Sequence, residues 1–310
     1  LDGDGALSLA DLGDPYVAGG LSHVAFASSG EHLFELPAGR YQVYVSRGVE
    51  YSLWDSLEQD SPAGLEVVAG ALTQVETVLH REVDSSGFVS ADLHVHAAPS
   101  HDSGVPLSLR VQTMACEGVE YVAATDHDVI TDYRPALEEM GLDPWLQASA
   151  GLEVTGIEVG HYLGFPLLID HNRPKGGALD WTGLRPAEII AGIAALGAYG
   201  PEETVVYIGH PRDGILGYFD QFGFNPFDGG QLDPDLEPPL LNLLGGNDLL
   251  DADNFTLEVP AIEILNGKRF DLIRTPTHEE VECNRALAAG TPLPACPEGA
   301  SLYTMIERTA

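Results

Sequence analysis

Lysine is nearly missing from this chain, with only Lys175 and Lys268 among 310 residues. Lysine and arginine together number 14 against 48 aspartates and glutamates, a formal net charge of −34. Such a surface repels phosphate backbones and anionic headgroups, which argues against nucleic acid and anionic membranes as partners and fits a heavily solvated exterior. Cysteine is scarce too: Cys116, Cys283 and Cys296 form neither a Cys-x-x-Cys pair nor a zinc-ribbon spacing. Cys116 falls on the apolar side of an expected helix and reads as core, while Cys283 and Cys296 are open either to a surface disulfide or to none. No run of eighteen apolar residues exists, so no membrane-spanning helix is expected. The absence of a Gly-x-Ser-x-Gly elbow disfavours Ser-His-Asp hydrolysis. There is no signal peptide, but the chain does not begin with Met, so a removed leader stays open.

What is present supports a real core. A hydrophobic content of 44% allows one large domain and a smaller one. Residues 1–15 open with Asp2-Gly3-Asp4-Gly5 and continue to Asp11, which fits the latter part of a calcium loop with Asp2, Asp4 and Asp11 as weak ligands; a plain Asp/Gly linker fits as well. From 16 to 83 short alternating stretches, 32–36, 41–45 and 73–79, punctuated by turn residues, predict a small all-β sandwich. His23, His32 and His80 lie there without partners at ligand spacing. Beyond Asp84-Ser85-Ser86-Gly87, strands are expected at 88–96, 119–126, 147–154, 161–169, 204–210 and 260–265. Helices are expected at 107–117, 132–140, 184–198 and 277–289. Strand-helix alternation predicts an α/β fold with a mostly parallel sheet or barrel, and polar groups collected at one end of the strands favour the barrel.

Those polar groups carry the chemistry. In Asp92-Leu93-His94-Val95-His96, strand alternation puts His94 and His96 on one face and sends Leu93 and Val95 into apolar packing. Successive strand ends then supply His101, Asp126-His127, Glu153, His161 and His210, so that six of eleven histidines sit at such positions. One such residue is ordinarily structural; imidazoles and carboxylates recurring at the same end of successive strands point to bound metal. Gly214 to Asn225, with Tyr218, Phe219, Phe222 and Phe224, is expected as core or as an aromatic wall beside the site. The Asp/Pro/Gly-rich stretch 226–256 is expected as an acidic excursion in which Asp251 and Asp253 are solvated or hold a cation.

Taken in order, Asp-Leu-His-Val-His at 92–96, Thr-Asp-His at 125–127, Gly-Leu-Glu at 151–153, Gly-His-Tyr-Leu-Gly-Phe at 160–165, Gly-His-Pro-Arg at 209–212 and Glu-Ile-Leu-Asn-Gly at 263–267 resemble the motifs of the PHP (polymerase and histidinol phosphatase) domain, in its carbaryl-hydrolase-like branch. The run Leu-Pro-Ala-Gly-Arg-Tyr at 36–41 resembles carboxypeptidase-regulatory-like, transthyretin-like modules of secreted enzymes. The first resemblance covers 88–310 and implies a distorted (β/α)7 barrel binding two or three divalent ions (zinc, manganese or iron). It implies His94 and His96 on a first metal, Glu153 bridging to a second with His161 and His210, and His101 and His127 on a third. Asp92 and Asp126 are then outer acceptors that orient imidazoles. The family's closing Asp-x-His does not follow residue 263, where the only later histidine is His278, so the barrel is expected to lack its last strand here.

The expected activity is hydrolysis of a small-molecule ester, with metal-activated water attacking a phosphorus or carbonyl centre and Glu153, Asp126 and Arg212 as catalytic residues. Arg212 would bind a substrate phosphate or pair with an acid. A phosphoesterase leads. A carboxyl- or carbamate-ester hydrolase on the same metals and a non-catalytic extracellular binding protein with a degenerate barrel stay open. The resemblance to modules of secreted enzymes implies a location outside the cytoplasm: secreted, periplasmic or at the cell surface.

Overall fold

The computed structural model describes residues 23–59, 64–157, 159–213, 216–223, 248–250 and 252–264. The calcium-loop acids Asp2, Asp4 and Asp11, Cys283, Cys296, His278, the helix expected at 277–289, Phe224, Asp251 and most of the acidic excursion lie outside these residues. The architecture is mixed α/β. Contacts divide the chain into two units, one within Leu1–Leu93, Val105–Val122 and Tyr133–Ala148, the other within His94–Gly104, Ala123–Asp132 and Ser149–Ala310. A three-stranded sheet of order β5-β6-β7, formed by Ala91–Val95, Tyr121–Ala124 and Gln147–Ala150, contributes residues to both.

In the first unit the N-terminal strands are short: β1 (Gly39–Tyr41) pairs antiparallel with β4 (Leu65–Val67), and β2 (Tyr44–Val45) with β3 (Trp54–Asp55). The Tyr41 hydroxyl donates to the Pro37 carbonyl at 2.9 Å and ties down the Leu-Pro-Ala-Gly-Arg-Tyr turn. Residues 32–36 and 73–79, expected as strands, form no ladder; their apolar members, such as Leu33, Val75 and Val78, are exposed, so no buried face fixes a register. A four-residue helix, α1, covers Ser56–Gln59. Helix α2 (Leu107–Cys116) starts after Pro106 and buries Val111 and Ala115. Cys116, expected as core, is half-buried there as a free thiol. Helix α3 (Arg134–Met140) carries Pro135 in its first turn and stops at Gly141, whose φ of 64° suits a left-handed cap.

The second unit holds the principal core. A four-stranded sheet of order β11-β10-β9-β8 is built from β8 (Leu152–Gly156), β9 (Gly160–Phe165), β10 (Val205–Ile208) and β11 (Ala261–Ile262). The β8–β9 and β9–β10 pairs are antiparallel and only β10–β11 is parallel, so the mostly parallel expectation does not hold for this sheet. The reason is local: a connection of only 157–159 between β8 and β9 permits a hairpin and is far too short for a parallel crossover. The strand expected at 147–154 is two strands. It breaks at Gly151, where a Cβ would lie 2.7 Å from the Gly164 carbonyl oxygen and 2.9 Å from that of Ala124.

Alternation gives this sheet two different faces. Leu152, Val154, Tyr162, Val206 and Ile208 join Ile189 and Ile193 of α4 (Pro186–Ala194) in the buried core. Helix α4 is started by Pro186 and by the Glu188 carboxylate accepting the Arg185 amide at 2.8 Å. On the other face the register sets Glu153 opposite Leu163 and Thr155 opposite His161. Tyr218 and Phe222, of α5 (Tyr218–Gln221) and its C-terminal edge, are buried in the same core, with the Tyr218 ring stacked on Phe255 at 5.3 Å. Of the two readings of the aromatic segment, core is the one observed.

Candidate metal centre

Glu153 is the pivot of the second unit. Its side chain is 0% exposed, and the two carboxylate oxygens meet five imidazoles. His161 Nδ1 lies 2.8 Å and His210 Nε2 3.3 Å from Oε1; His94 Nε2, His127 Nδ1 and His96 Nε2 lie 3.1, 3.1 and 3.3 Å from Oε2.

Each of these side chains arrives for a local reason. His94 and His96 come from β5 and its exit; Val95 between them is buried, although Leu93, expected in the same packing, is partly exposed. Val95 is held by its amide donating to Thr125 Oγ1 at 2.7 Å. His127 follows β6, where the Glu153 amide donates to the Asp126 carbonyl at 3.1 Å and the Asp128 amide to the Glu153 carbonyl at 2.7 Å. His161 sits on β9 beside Thr155. His210 follows β10 with a φ of 25°, a left-handed conformation that costs a non-glycine residue on the order of 1 kcal/mol or more. Its amide donates to Glu263 Oε2 at 2.7 Å, which helps to hold that conformation. Preceding it, Gly209 is closely packed: a Cβ would lie 2.5 Å from Leu163 Cδ1, and that side chain would have to shift to admit it.

Proton counting shows what the cluster is suited to hold. Ser100 Oγ donates its single proton to Asp102 Oδ1 at 2.7 Å, so toward His96 Nδ1, 3.3 Å away, it can only accept. With its hydrogen on Nδ1, where Ser100 can accept it, His96 would leave the Nε2 lone pair free, 3.3 Å from the Glu153 carboxylate. Burial pushes the His96 pKa down to about 4, the nearby Glu153 charge opposing, so this imidazole is neutral at pH 7. In that tautomer a lone pair beside a carboxylate oxygen 3.3 Å away is repulsive unless a cation lies between them. Ligand atoms at about 2.0–2.1 Å from a tetrahedral zinc stand roughly 3.3 Å apart, which is the spacing found here.

His94 follows the same pattern, with Nδ1 3.1 Å from Glu263 Oε2 and Nε2 directed at Glu153. Carboxylate, imidazole and ion in line is the usual outer support of metal-bound histidine. In the metal-free protein burial would depress His94, but hydrogen bonds to Glu153 and Glu263 outweigh it and raise its pKa to about 10. Glu153 itself would be raised by burial; hydrogen bonds from His161, His210 and His94 win and hold it well below the usual carboxylate range. His161 Nε2 and His210 Nδ1 are buried polar atoms with no hydrogen-bond partner, although Asp213 Oδ2 stands 3.7 Å from the latter.

Two donor sets emerge, His94–Glu153–His210 and His96–His127–Glu153, each with its ligand atoms within 4.8 Å of one another. This buried cluster can hold metal ions, with Glu153 common to both sets. The grouping differs from the sequence expectation, which put His94 with His96 and His127 with His101. His101 is exposed, its ring 4.6 Å from that of His127, and it belongs to neither set. Beside His127 stands Asp102 instead, with Oδ2 3.4 Å from Nε2. Burial would raise the Asp102 pKa, but the Ser100 hydroxyl and the His96 and His127 imidazoles lower it on balance.

The remaining expected residues divide. Asp126 is fully buried, its carboxylate accepting the Ala97 amide at 2.6 Å, so it shapes the backbone after His96. Arg212 is ion-paired with Asp220 at 2.9 Å and lies over the Phe219 ring, the pairing rather than the substrate-facing alternative. His23 and His32 pack against Phe34 and belong to neither donor set. Glu263, Asp102, Ser100 and Thr155 were not singled out from sequence. Glu263 lies in a quoted motif, and Ser100 and Asp102 fall four and six residues after His96, a spacing that could have drawn attention. No protein-family model matches this chain, and no curated protein matches it.

Proposed function

We propose that this protein is a metal-dependent hydrolase of PHP type, cleaving small-molecule phosphoesters outside the cytoplasm, with its sheets belonging to a distorted barrel of that family. The observation that carries the reading is one fully buried carboxylate surrounded by five imidazoles. Packing alone does not account for such an arrangement, because a carboxylate has about four acceptor sites and five imidazoles gather on this one. When bound, divalent ions supply Lewis acidity, which acidifies water and stabilises negative charge developing on the ester.

The chain's own residues would do the rest. His94, His210 and Glu153 would hold one ion, His96, His127 and Glu153 a second, and His161 adds a donor on the Oε1 side. Glu263 and Ser100 fix the far nitrogens of His94 and His96, so these rings cannot turn away. Arg212 would have to exchange Asp220 for a substrate phosphate before it could assist binding. With a formal charge of −34, a nucleic-acid substrate is disfavoured, and among the described residues no helix is long and apolar enough to cross a membrane.

The test is an assay of zinc- or manganese-loaded protein against nitrophenyl phosphate and naphthyl carbamate. Chelator-sensitive release of nitrophenol supports the proposal. Turnover of the carbamate alone would replace the phosphoester with a carboxyl-type ester. Two bound ions with no turnover of either ester would favour the binding-protein reading.

A further inference from the structure

Thr155, on β8 two residues from Glu153, reaches the His127 imidazole, whose other nitrogen faces the half-exposed Asp102. Its hydroxyl is hydrogen-bonded to His127 Nδ1. Thr155 is itself anchored: its amide donates to Asp128 Oδ1 at 3.2 Å, and the same oxygen accepts the Trp181 indole N–H at 2.7 Å. Asp128 follows His127 directly and has a φ of 54°, a conformation with a cost for a residue bearing a side chain. The loop carrying Trp181 is fastened to the same segment by the Ile130 amide donating to the Lys175 carbonyl at 3.1 Å.

His127 Nδ1 also lies 3.1 Å from Glu153 Oε2, so two groups surround it. That oxygen already faces His94 and His96 at 3.1 and 3.3 Å, and a bare lone pair on His127 Nδ1 would be repelled by it. The other nitrogen, Nε2, stands 3.4 Å from Asp102, whose side chain is 46% exposed and so screened by water. The proton is better placed on Nδ1, between the hydroxyl and the carboxylate.

From this geometry we infer that Thr155, held by Asp128 and Trp181, is a positioning residue that takes the Nδ1–H of His127 and makes the ring present Nε2 toward Asp102. The inference concerns the ring in the metal-free protein and rests on the metal-centre reading only for its effect on binding. An outer partner of this kind is worth roughly 10–100-fold in metal affinity.

Two measurements test it. In the metal-free protein, 15N NMR of the histidine rings above pH 7 should find His127 with its hydrogen on Nδ1 in the native chain and in Thr155→Ser, and a shift toward the Nε2–H form in Thr155→Val. Zinc titration by calorimetry should show Thr155→Val weakened roughly 10–100-fold, Thr155→Ser near native, and Trp181→Phe weakened less but in the same direction. An Nε2–H form in the native chain would overturn the inference whether or not the valine variant folds, as would unchanged zinc affinity in a folded Thr155→Val. If zinc binds and the tautomers behave as stated but no ester is cleaved, the hydrolase proposal falls while this one stands.

Discussion

Replacing Glu153 by Gln perturbs the centre with the least change of shape. The amide fills the same volume, so no cavity opens, but the negative charge that five imidazoles surround is gone and an N–H pair replaces one oxygen. Both donor sets contain Glu153, so each falls from three ligands to two and neither keeps a buried anion. Ion binding should fall below detection at micromolar metal, and hydrolysis should drop by at least about a thousandfold, equivalent to ~4 kcal/mol of barrier. Without metal, the variant also leaves a buried cationic His94 with Glu263 as its remaining carboxylate partner. Breaking one side of a buried charge pair typically costs about 3–5 kcal/mol, which at roughly 2–4 °C per kcal/mol corresponds to a fall in Tm on the order of 10 °C. Elemental analysis after dialysis, initial rates and a thermal melt read all three. A variant that keeps native metal content and turnover would refute the shared role of Glu153.

Other expectations follow from the same geometry. Depressed Glu153 contributes stability to the metal-free protein that is lost as pH falls below its ordinary value of 4.5, and raised His94 contributes stability complete below 6.5 and lost as pH climbs toward about 10. His96, depressed to about 4 by burial, is neutral in the folded chain and takes a proton on unfolding, so it removes stability as pH falls below 6.5; a melt series should therefore peak near pH 6.5 and decline on both sides. Because His94 holds a proton at pH 7, metal binding there should release about one proton per chain, visible as a calorimetric enthalpy that depends on the buffer. Chelation of the loaded protein should remove about 3–4 kcal/mol if metal had been present at 100–1,000 times its Kd, and a melt unaffected by chelator would speak against binding to the folded state. Gly209→Ala forces a Cβ to 2.5 Å from Leu163 and should cost about 1–3 kcal/mol while displacing His210, reducing metal affinity more than Ala substitution at the exposed Gly104.

How much of this was legible in the sequence depended on the range of the signal. The helices α2, α3 and α4 and the strands β5, β6 and β10 fell within expected segments and β9 began one residue before its own, because continuous apolar runs and Pro or Gly punctuation act over a few residues. Strand direction was not legible: alternation in Leu152–Gly156 and Gly160–Phe165 looks the same whether the pair is parallel or antiparallel. Gly151 looked like part of one strand because only the approach of the Gly164 and Ala124 carbonyls reveals the break.

At the site, residue types at strand ends pointed to Glu153 and the five imidazoles that meet it. The supporting residues stayed hidden for two reasons. Glu263 reaches His94 across 169 positions of sequence, and no local pattern reports so distant a contact. Asp102 sits in an exposed turn where acids are ordinarily solvated, and the adjacent His101 drew the assignment by residue type. Thr155 gave no signal at all: a hydroxyl on a strand is ordinary, and only the register opposite His161 shows that it shares a face with the cluster.

Anomalous X-ray scattering from crystals of the protein grown with zinc or manganese tests the central claim most directly, since it reports element and position together. The account predicts peaks on both sides of Glu153, at about 2.0–2.2 Å from the ligating imidazole nitrogens and carboxylate oxygens for zinc. Peaks confined to the acidic surface, with the five imidazoles still packed directly on a metal-free Glu153, would contradict it.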